Sequence, residues 1–106
     1  MTMDVRKLTE EYHAAFGSRD LKVLKDLFHE DCLLIDPSNN IRGNENLMEF
    51  LKNLFDANEE LSFKKNAIIV DQNTSVLEFQ LQLNESIFIG VDIIEWEDSK
   101  IKSLNA

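Results

Sequence analysis

The stretch from Ile87 to Trp96 most constrains how this chain can fold, because it reads as one long strand in a nearly unbroken apolar run. Successive side chains of a strand point to opposite faces of the sheet. One face then carries Ile87, Ile89, Val91 and Ile93, and the other carries Phe88, Gly90, Asp92, Ile94 and Trp96. Because both faces are mainly apolar, the pattern predicts a strand that is covered on both sides.

Asp92 is the exception within this strand. A lone carboxylate among apolar side chains is costly when ionised, so it must be paired, hydrated in a cavity or kept protonated. A functional acid in a cavity is one interpretation. The other is a structural acid that caps a bulge beside Gly90 or pairs with an arginine such as Arg6 or Arg42, because structural ion pairs also bury acids.

Length and charge exclude several classes of protein. A chain of 106 residues with one proline and three glycines is typical of one compact domain, here residues 1–106. Its net charge of −9 disfavours binding to nucleic acid or to anionic membranes. No apolar run approaches the length of a membrane span, and the N-terminus lacks the apolar segment of a secretory signal. We therefore expect a cytoplasmic protein.

Cysteine and histidine are scarce in this sequence. The single cysteine, Cys32, cannot form an internal disulfide, and no Cys/His cluster has the spacing of a zinc site. We expect no metal and no cofactor. Cys32 begins a predicted strand and is interpreted as a small core residue. His13 and His29 are interpreted as structural or exposed side chains.

The remaining elements follow from hydrophobic periodicity. Apolar residues at helical spacing predict a helix over 4–16, a short helix capped by Asp20 and ended by residues 29–31, and a third helix opening at Gly43-Asn44. Alternating or apolar runs predict strands over 32–36, 63–70, 76–83, 87–96 and 101–104. Helices followed by an antiparallel meander indicate an α+β fold with the helices on one face of a curved sheet.

The order of several short motifs resembles the nuclear-transport-factor-2-like superfamily, in its SnoaL-like and ketosteroid-isomerase-like branch. The resemblance covers nearly the whole chain. It is carried by Tyr12–Phe16, Asp20-Leu21, Leu27–Cys32, Ile35–Pro37, Arg42-Gly43, Phe50-Leu51, Val91-Asp92 and Glu97–Ile101. It implies three N-terminal helices packed in a strongly curved, mainly antiparallel sheet, a cone with an apolar pocket open at one end.

The same resemblance implies roles for three polar residues. Ketosteroid isomerases carry a tyrosine on the first helix, an aspartate in an Asp-Pro motif at a strand end and a second aspartate on a late strand. Tyr12, Asp36 and Asp92 match these positions one by one. Asp36 would then be the base that moves a proton beside a ketone, and Tyr12 with a protonated Asp92 would bind the resulting oxyanion. Phe28 and Leu51 depart from the pattern, because those isomerases often carry supporting tyrosines there.

Two surfaces complete the prediction. If the chain has a pocket for a small apolar molecule, we expect it to be lined by Phe28, Phe50, Leu54, Phe79, Ile94 and Trp96. Ile89, Val91 and Ile93 form an apolar strip on the convex side of the sheet, and a contiguous apolar patch of this kind usually marks an interface. We therefore predict a homodimer that buries these three residues.

Two functions remain open at this point. The first is an enzyme that isomerises a ketone or polyketide-like substrate by proton transfer, or a lyase or cyclase of the same superfamily. The second is a module without chemistry that binds a small ligand or assembles as a dimer, its pocket filled by side chains such as Phe50, Leu54 and Phe79. A shared fold does not decide between them.

Overall fold

The computed structural model describes residues 3–106. Within this range the chain forms three helices and six strands, which confirms the predicted α+β class. The helices are α1 (Val5–Gly17), α2 (Leu21–Leu27) and α3 (Asn44–Ala57). The strands are β1 (Phe28–Ile35), β2 (Asn40–Arg42), β3 (Leu61–Asp71), β4 (Thr74–Leu83), β5 (Ser86–Glu97) and β6 (Lys100–Asn105).

The helices begin where their capping residues place them. Asp4 accepts a hydrogen bond from the Lys7 backbone N–H, and Asp20 accepts one from Val23, so each satisfies a free donor in the first helical turn. Gly43 precedes α3 with φ of +91° and ψ of 143°. This conformation is essentially restricted to glycine, which explains why a glycine stands at this turn.

Two sequence-based boundaries were wrong around the first strand. β1 already begins at Phe28, so residues 29–31 belong to the strand and do not end the preceding helix. The short strand Asn40–Arg42 was not predicted, since Asn40 reads as turn chemistry. Both differences have one cause: these segments are polar and mostly exposed, and β1 shifts register between Phe28 and Leu33, so they lack the alternation that marks a strand.

The six strands form one open, curved sheet in the order β2-β1-β6-β5-β4-β3. The pairing of β1 with β6 is parallel, and the other four pairings are antiparallel. Register shifts also interrupt β3 between Lys65 and Ala67, and β6 opposite Glu95 and Trp96, where Lys102 is the extra residue. Such bulges bend strands and increase their twist. The inner face of the sheet packs against the helices and is buried except near the β4–β5 turn, where Phe88 is exposed.

A chain of buried polar contacts joins α1 to this inner face. The Thr9 hydroxyl lies 2.7 Å from both the Val5 carbonyl oxygen and the Ser75 hydroxyl. The Trp96 indole N–H donates to the same Ser75 oxygen at 2.9 Å. Because Thr9 and Ser75 are fully buried, these bonds fix how α1 is seated on β4 and β5.

The outer face of β5 is not covered by residues 3–106, contrary to the predicted two-sided burial. Ile89 is 77% exposed, and Val91 and Ile93 are also exposed. An apolar sequence pattern indicates that burial of a face would be favourable. It does not show whether the same chain or another molecule covers that face. No helix among the described residues is both long and apolar enough to cross a membrane.

Candidate functional site

Tyr12 and Asp92 meet inside the cone, although 80 positions separate them along the chain. Tyr12 lies on the buried stripe of α1, and Asp92 lies on the inner face of β5, where alternation places it with Ile94 and Trp96. The Tyr12 hydroxyl donates to Asp92 Oδ2 at 3.3 Å, and each residue is 4% exposed. We refer to these two residues as the Tyr12–Asp92 pair.

The arginine alternative for Asp92 does not match the contacts of the described residues. Arg6 donates to the backbone carbonyl of Ile68, and Arg42 lies exposed on β2. The hydrogen-bonding partner of the Asp92 carboxyl among residues 3–106 is Tyr12. Asp92 is therefore a buried acid held by a neutral hydroxyl group.

Burial shifts the ionisation of both partners. It raises the pKa of Asp92 from 3.8 to about 7, and the hydrogen bond from Tyr12 opposes this rise. It also raises the pKa of Tyr12 well above 10.0, and the nearby Asp92 charge and hydrogen bond act in the same direction. Near neutral pH the Asp92 carboxyl is thus close to its own midpoint and can either donate or accept a proton.

Aromatic rings pack around Tyr12 and make its surroundings apolar. The Tyr12 ring lies 6.0 Å from Phe28, 6.1 Å from Phe16 and 6.4 Å from Phe63. Phe63 continues the cluster to Phe79, with 5.3 Å between the ring centroids. A wall of this kind lowers the local dielectric, which strengthens any hydrogen bond made to the pair.

The residues proposed to line a pocket differ in their placement. Phe28, Phe79, Ile94 and Trp96 are buried in the core, whereas Phe50 and Leu54 are half-buried on α3. The surface formed by residues 3–106 has hollows of about 440 and 830 Å³. Phe50 contributes to the first and Phe28 to the second, and neither hollow is lined by Tyr12 or Asp92.

Asp36 follows β1, and its carboxylate forms hydrogen bonds within the turn that it begins. Its carboxylate accepts hydrogen bonds from the Ser38 backbone N–H at 2.8 Å and from the Asn39 side-chain amide at 3.0 and 3.1 Å. The structure therefore brings Tyr12 and Asp92 into contact and holds Asp36 apart from them.

The sheet register nevertheless relates Asp36 to the pair. Ile35 aligns with Asn105 of β6, and Asn105 aligns with Ile93 of β5. Asp36 directly follows Ile35, and Asp92 is the residue next to Ile93 in the same direction, so both lie at the same end of this row, on either side of β6.

The two histidines have local partners. His13 Nε2 lies 2.7 Å from the Phe63 carbonyl oxygen, and its ring packs against the Phe63 ring. His29 lies in β1, where its Nδ1 accepts from the Asp31 backbone N–H. Within residues 3–106, no three His, Cys, Asp or Glu side chains are grouped closely enough to hold a metal ion.

Ser75 is a site-supporting residue that sequence reasoning missed. The predicted strand began at Val76, one residue after it, so its contact with Thr9 and Trp96 was not considered. Parity could have revealed it, because Ser75 shares the inward face of β4 with Leu77 and Phe79. A serine at an inward position of a buried strand implies a polar partner on the opposing element.

Solved structures with the same fold are numerous and distant in sequence. An NTF2-like protein of unknown function from Cytophaga hutchinsonii superposes with a TM-score of 0.86 at 16% identity, covering 99% of this chain and 89% of that one. A protein from Kribbella flavida that is provisionally named a ketosteroid isomerase gives 0.86 at 17% identity, covering 95% and 74%. An LEH-like epoxide hydrolase from M. tuberculosis gives 0.79 at 17% identity, covering 93% and 77%.

No curated protein matches the sequence significantly. At these identities the solved structures establish the fold and leave the reaction open. The family is established by the sequence itself, since residues 9–104 match the model of the SnoaL-like domain. The chain therefore belongs to the SnoaL-like domain family of the NTF2-like superfamily.

Proposed function

We propose that this protein binds a small, mostly apolar ketone through the Tyr12–Asp92 pair and isomerises it by proton transfer. The observation that carries the proposal is a buried acid with a pKa near 7 whose hydrogen-bonding partner is a tyrosine within an aromatic wall. A carboxyl buried without a charged partner costs stability, which favours a functional reason for keeping Asp92.

The pair would stabilise the oxygen of the reacting ketone. Its O···O distance of 3.3 Å is longer than the usual 2.5–3.0 Å for such bonds, so the contact is weak and readily exchanged. A ligand oxygen could accept one hydrogen bond from Tyr12 and one from protonated Asp92. Both bonds strengthen as negative charge develops on that oxygen, which lowers the barrier to forming an enolate.

Asp36 would act as the base. Its carboxylate takes the proton from the carbon next to the carbonyl, the C–H electron pair forms the enolate, and the same carboxyl returns the proton to a more distant carbon. Hydrogen bonds from Ser38 and Asn39 fix its orientation. Asp36 and Asp92 follow the same row of the sheet in the same direction, on β1 and β5 at either side of β6.

The reaction is tested with β,γ-unsaturated ketones such as 3-cyclohexen-1-one, whose conjugated product absorbs in the ultraviolet. We expect Asp36→Asn to abolish turnover and Tyr12→Phe to lower kcat by roughly 10²–10³-fold, the usual effect of removing an oxyanion donor. Asp71→Asn is the matched control, because Asp71 is an exposed acid at the end of β3. Absence of wild-type turnover across the panel, or full activity of Asp36→Asn, would overturn the proposal.

A second candidate function, a non-catalytic dimeric binding module, is favoured by the exposed outer strip of β5. The strip consists of Ile89, Val91 and Ile93, and an apolar surface of this kind is suited to association. A stable dimer that binds small phenols but turns over no ketone would support this function in place of the first.

A further inference from the structure

We infer that the ring of Phe79 occupies the ligand's place, and that a single-ring ligand with a phenol or conjugated carbonyl oxygen binds by displacing it. This inference rests on the proposed function, since it uses the Tyr12–Asp92 pair as the partner of the ligand oxygen. It adds what the pair alone does not supply, namely the size and shape of the ligand.

The Phe79 ring packs against the backbone of Gly90. The two residues are directly opposite each other on β5 and β4. A Cβ atom added to Gly90 would lie 3.4 Å from the tip of the Phe79 ring and 3.8 and 3.9 Å from the neighbouring ring atoms. These are ordinary packing distances, so the ring lies close above Gly90 and no side chain at position 90 covers it from that strand.

On the inner face of the sheet, Phe79 lies between the row of Asp92 and the row of the exposed Phe88. Asp92 is the next inward residue of β5 on one side of Gly90, and Phe88 is the next on the other side. Phe88 is 52% exposed although it shares the inward face, and its partner Leu81 is half-buried. The inner face is thus uncovered beyond Phe79, so a molecule that enters there meets the Phe79 ring before it reaches Asp92.

The surroundings of the ring define the ligand class. Phe63 lies 5.3 Å from the Phe79 ring and 6.4 Å from the Tyr12 ring, so it would contact a planar ligand at the position that Phe79 vacates. The vacated space is that of one six-membered ring. A ring of this size that reaches toward Asp92 can present a single oxygen to the Tyr12–Asp92 pair.

Binding of 4-nitrophenol tests the inference, because its absorbance reports both occupancy and its own ionisation. Removing the Phe79 ring leaves an apolar cavity, and such cavities take up small aromatic molecules. We expect Phe79→Ala to bind the probe at least about tenfold more tightly than wild type. Phe55→Ala is the matched control, because Phe55 is also a buried ring, 5% exposed against 9% for Phe79, and it packs on Phe16. Phe79→Leu is the milder variant if Phe79→Ala does not fold, and a smaller gain is expected for it.

The outcomes separate this inference from the proposed function. The inference would be overturned if Phe79→Ala and wild type bound 4-nitrophenol with equal affinity, or if Phe55→Ala gained as much affinity as Phe79→Ala. In either case, binding by wild type that is lost in Tyr12→Phe would still support the proposed function. If the double variant Phe79→Ala/Tyr12→Phe binds the probe as tightly as Phe79→Ala, the space left by the Phe79 ring is a ligand site, but the Tyr12–Asp92 pair does not bind the ligand oxygen. The proposed function then fails. Absence of binding by both wild type and Phe79→Ala would overturn both.

Discussion

Asp92 makes the stability of this protein depend on pH in an unusual direction. In the folded state its carboxyl keeps a proton up to about pH 7, whereas in the unfolded chain it releases the proton near pH 3.8. The folded state binds more protons in this range, so the contribution of Asp92 to the free energy of unfolding falls as pH rises from about 4 to 7 and then levels off. The difference between the two pKa values corresponds to roughly 4 kcal/mol.

Asp92→Asn should remove this loss, because the amide stays neutral at every pH. We expect the variant to match wild type near pH 4 and to exceed it by up to about 4 kcal/mol above pH 7. Urea unfolding of both proteins across this pH range measures the difference, and Asp71→Asn, which changes an exposed acid, controls for the overall charge. A constant difference between Asp92→Asn and wild type at all pH values would show that Asp92 ionises normally in the folded protein.

At the scale of single elements, two glycines at helix ends should respond oppositely to alanine. Gly43 has φ of +91° and no heavy atom within 4 Å of an added Cβ, so the cost of Gly43→Ala is purely that of the backbone, about 1–3 kcal/mol. Gly17 lies in the last turn of α1, where an added Cβ would make an ordinary 3.8 Å contact with Phe63. Gly17→Ala should therefore stabilise the protein by about 0.4–1 kcal/mol. Chemical denaturation measures the free energy of unfolding of both variants. Equal changes in the two would contradict the argument from backbone conformation.

The seating of α1 on the sheet should depend on Ser75. Ser75→Ala leaves the Trp96 indole N–H and the Thr9 hydroxyl without their shared partner in a fully buried site. We expect a loss of about 1–3 kcal/mol in the free energy of unfolding. Ser103→Ala, on the partly exposed β6, is the control and should change stability by less than about 0.5 kcal/mol. Similar losses in the two variants would show that the hydrogen bonds of Ser75 with Thr9 and Trp96 contribute little to stability.

The elements themselves were largely predictable because periodicity carries most of the information. α1, α3 and the four late strands combine clear apolar alternation with capping or turn residues, and the structure confirms them within about two residues. The start of β1 at Phe28 and the strand Asn40–Arg42 were not predictable in this way. Their residues pair at an edge of the sheet through backbone atoms, and edge pairing leaves little trace in side-chain polarity.

At the scale of the whole molecule, the approach of Tyr12 to Asp92 was partly predictable. Helical and strand parity each place one of these side chains inward, but the distance between them depends on how α1 is seated over the curved sheet. The local hydrogen bonds of Asp36 were not predictable from its place before Pro37, because Ser38 and Asn39 offer donors that compete for the carboxylate. Register, which no local pattern specifies, relates Asp36 to the row of Asp92.

The outer strip of β5 belongs to this largest scale, because residues 3–106 do not cover it. Ile89, Val91 and Ile93 point away from the helices, and Ile69 and Ile87 extend the exposed apolar surface beside them. A second copy of the chain presents the same surface, and two-fold symmetry matches such a surface to itself. The net charge of −9 opposes this association at long range, so salt should strengthen it.

We therefore predict a homodimer at micromolar concentration that buries the outer strip, measured by sedimentation velocity. Ile93→Glu should give a folded monomer, because it places a charge at the centre of the interface where no partner charge is available. Val23→Glu is the matched control: Val23 on α2 has nearly the same exposure, 39% against 41%, but does not lie on the sheet. A monomeric wild type, or a dimer that persists in Ile93→Glu, would show that the strip is not the interface, and the second candidate function would lose its support.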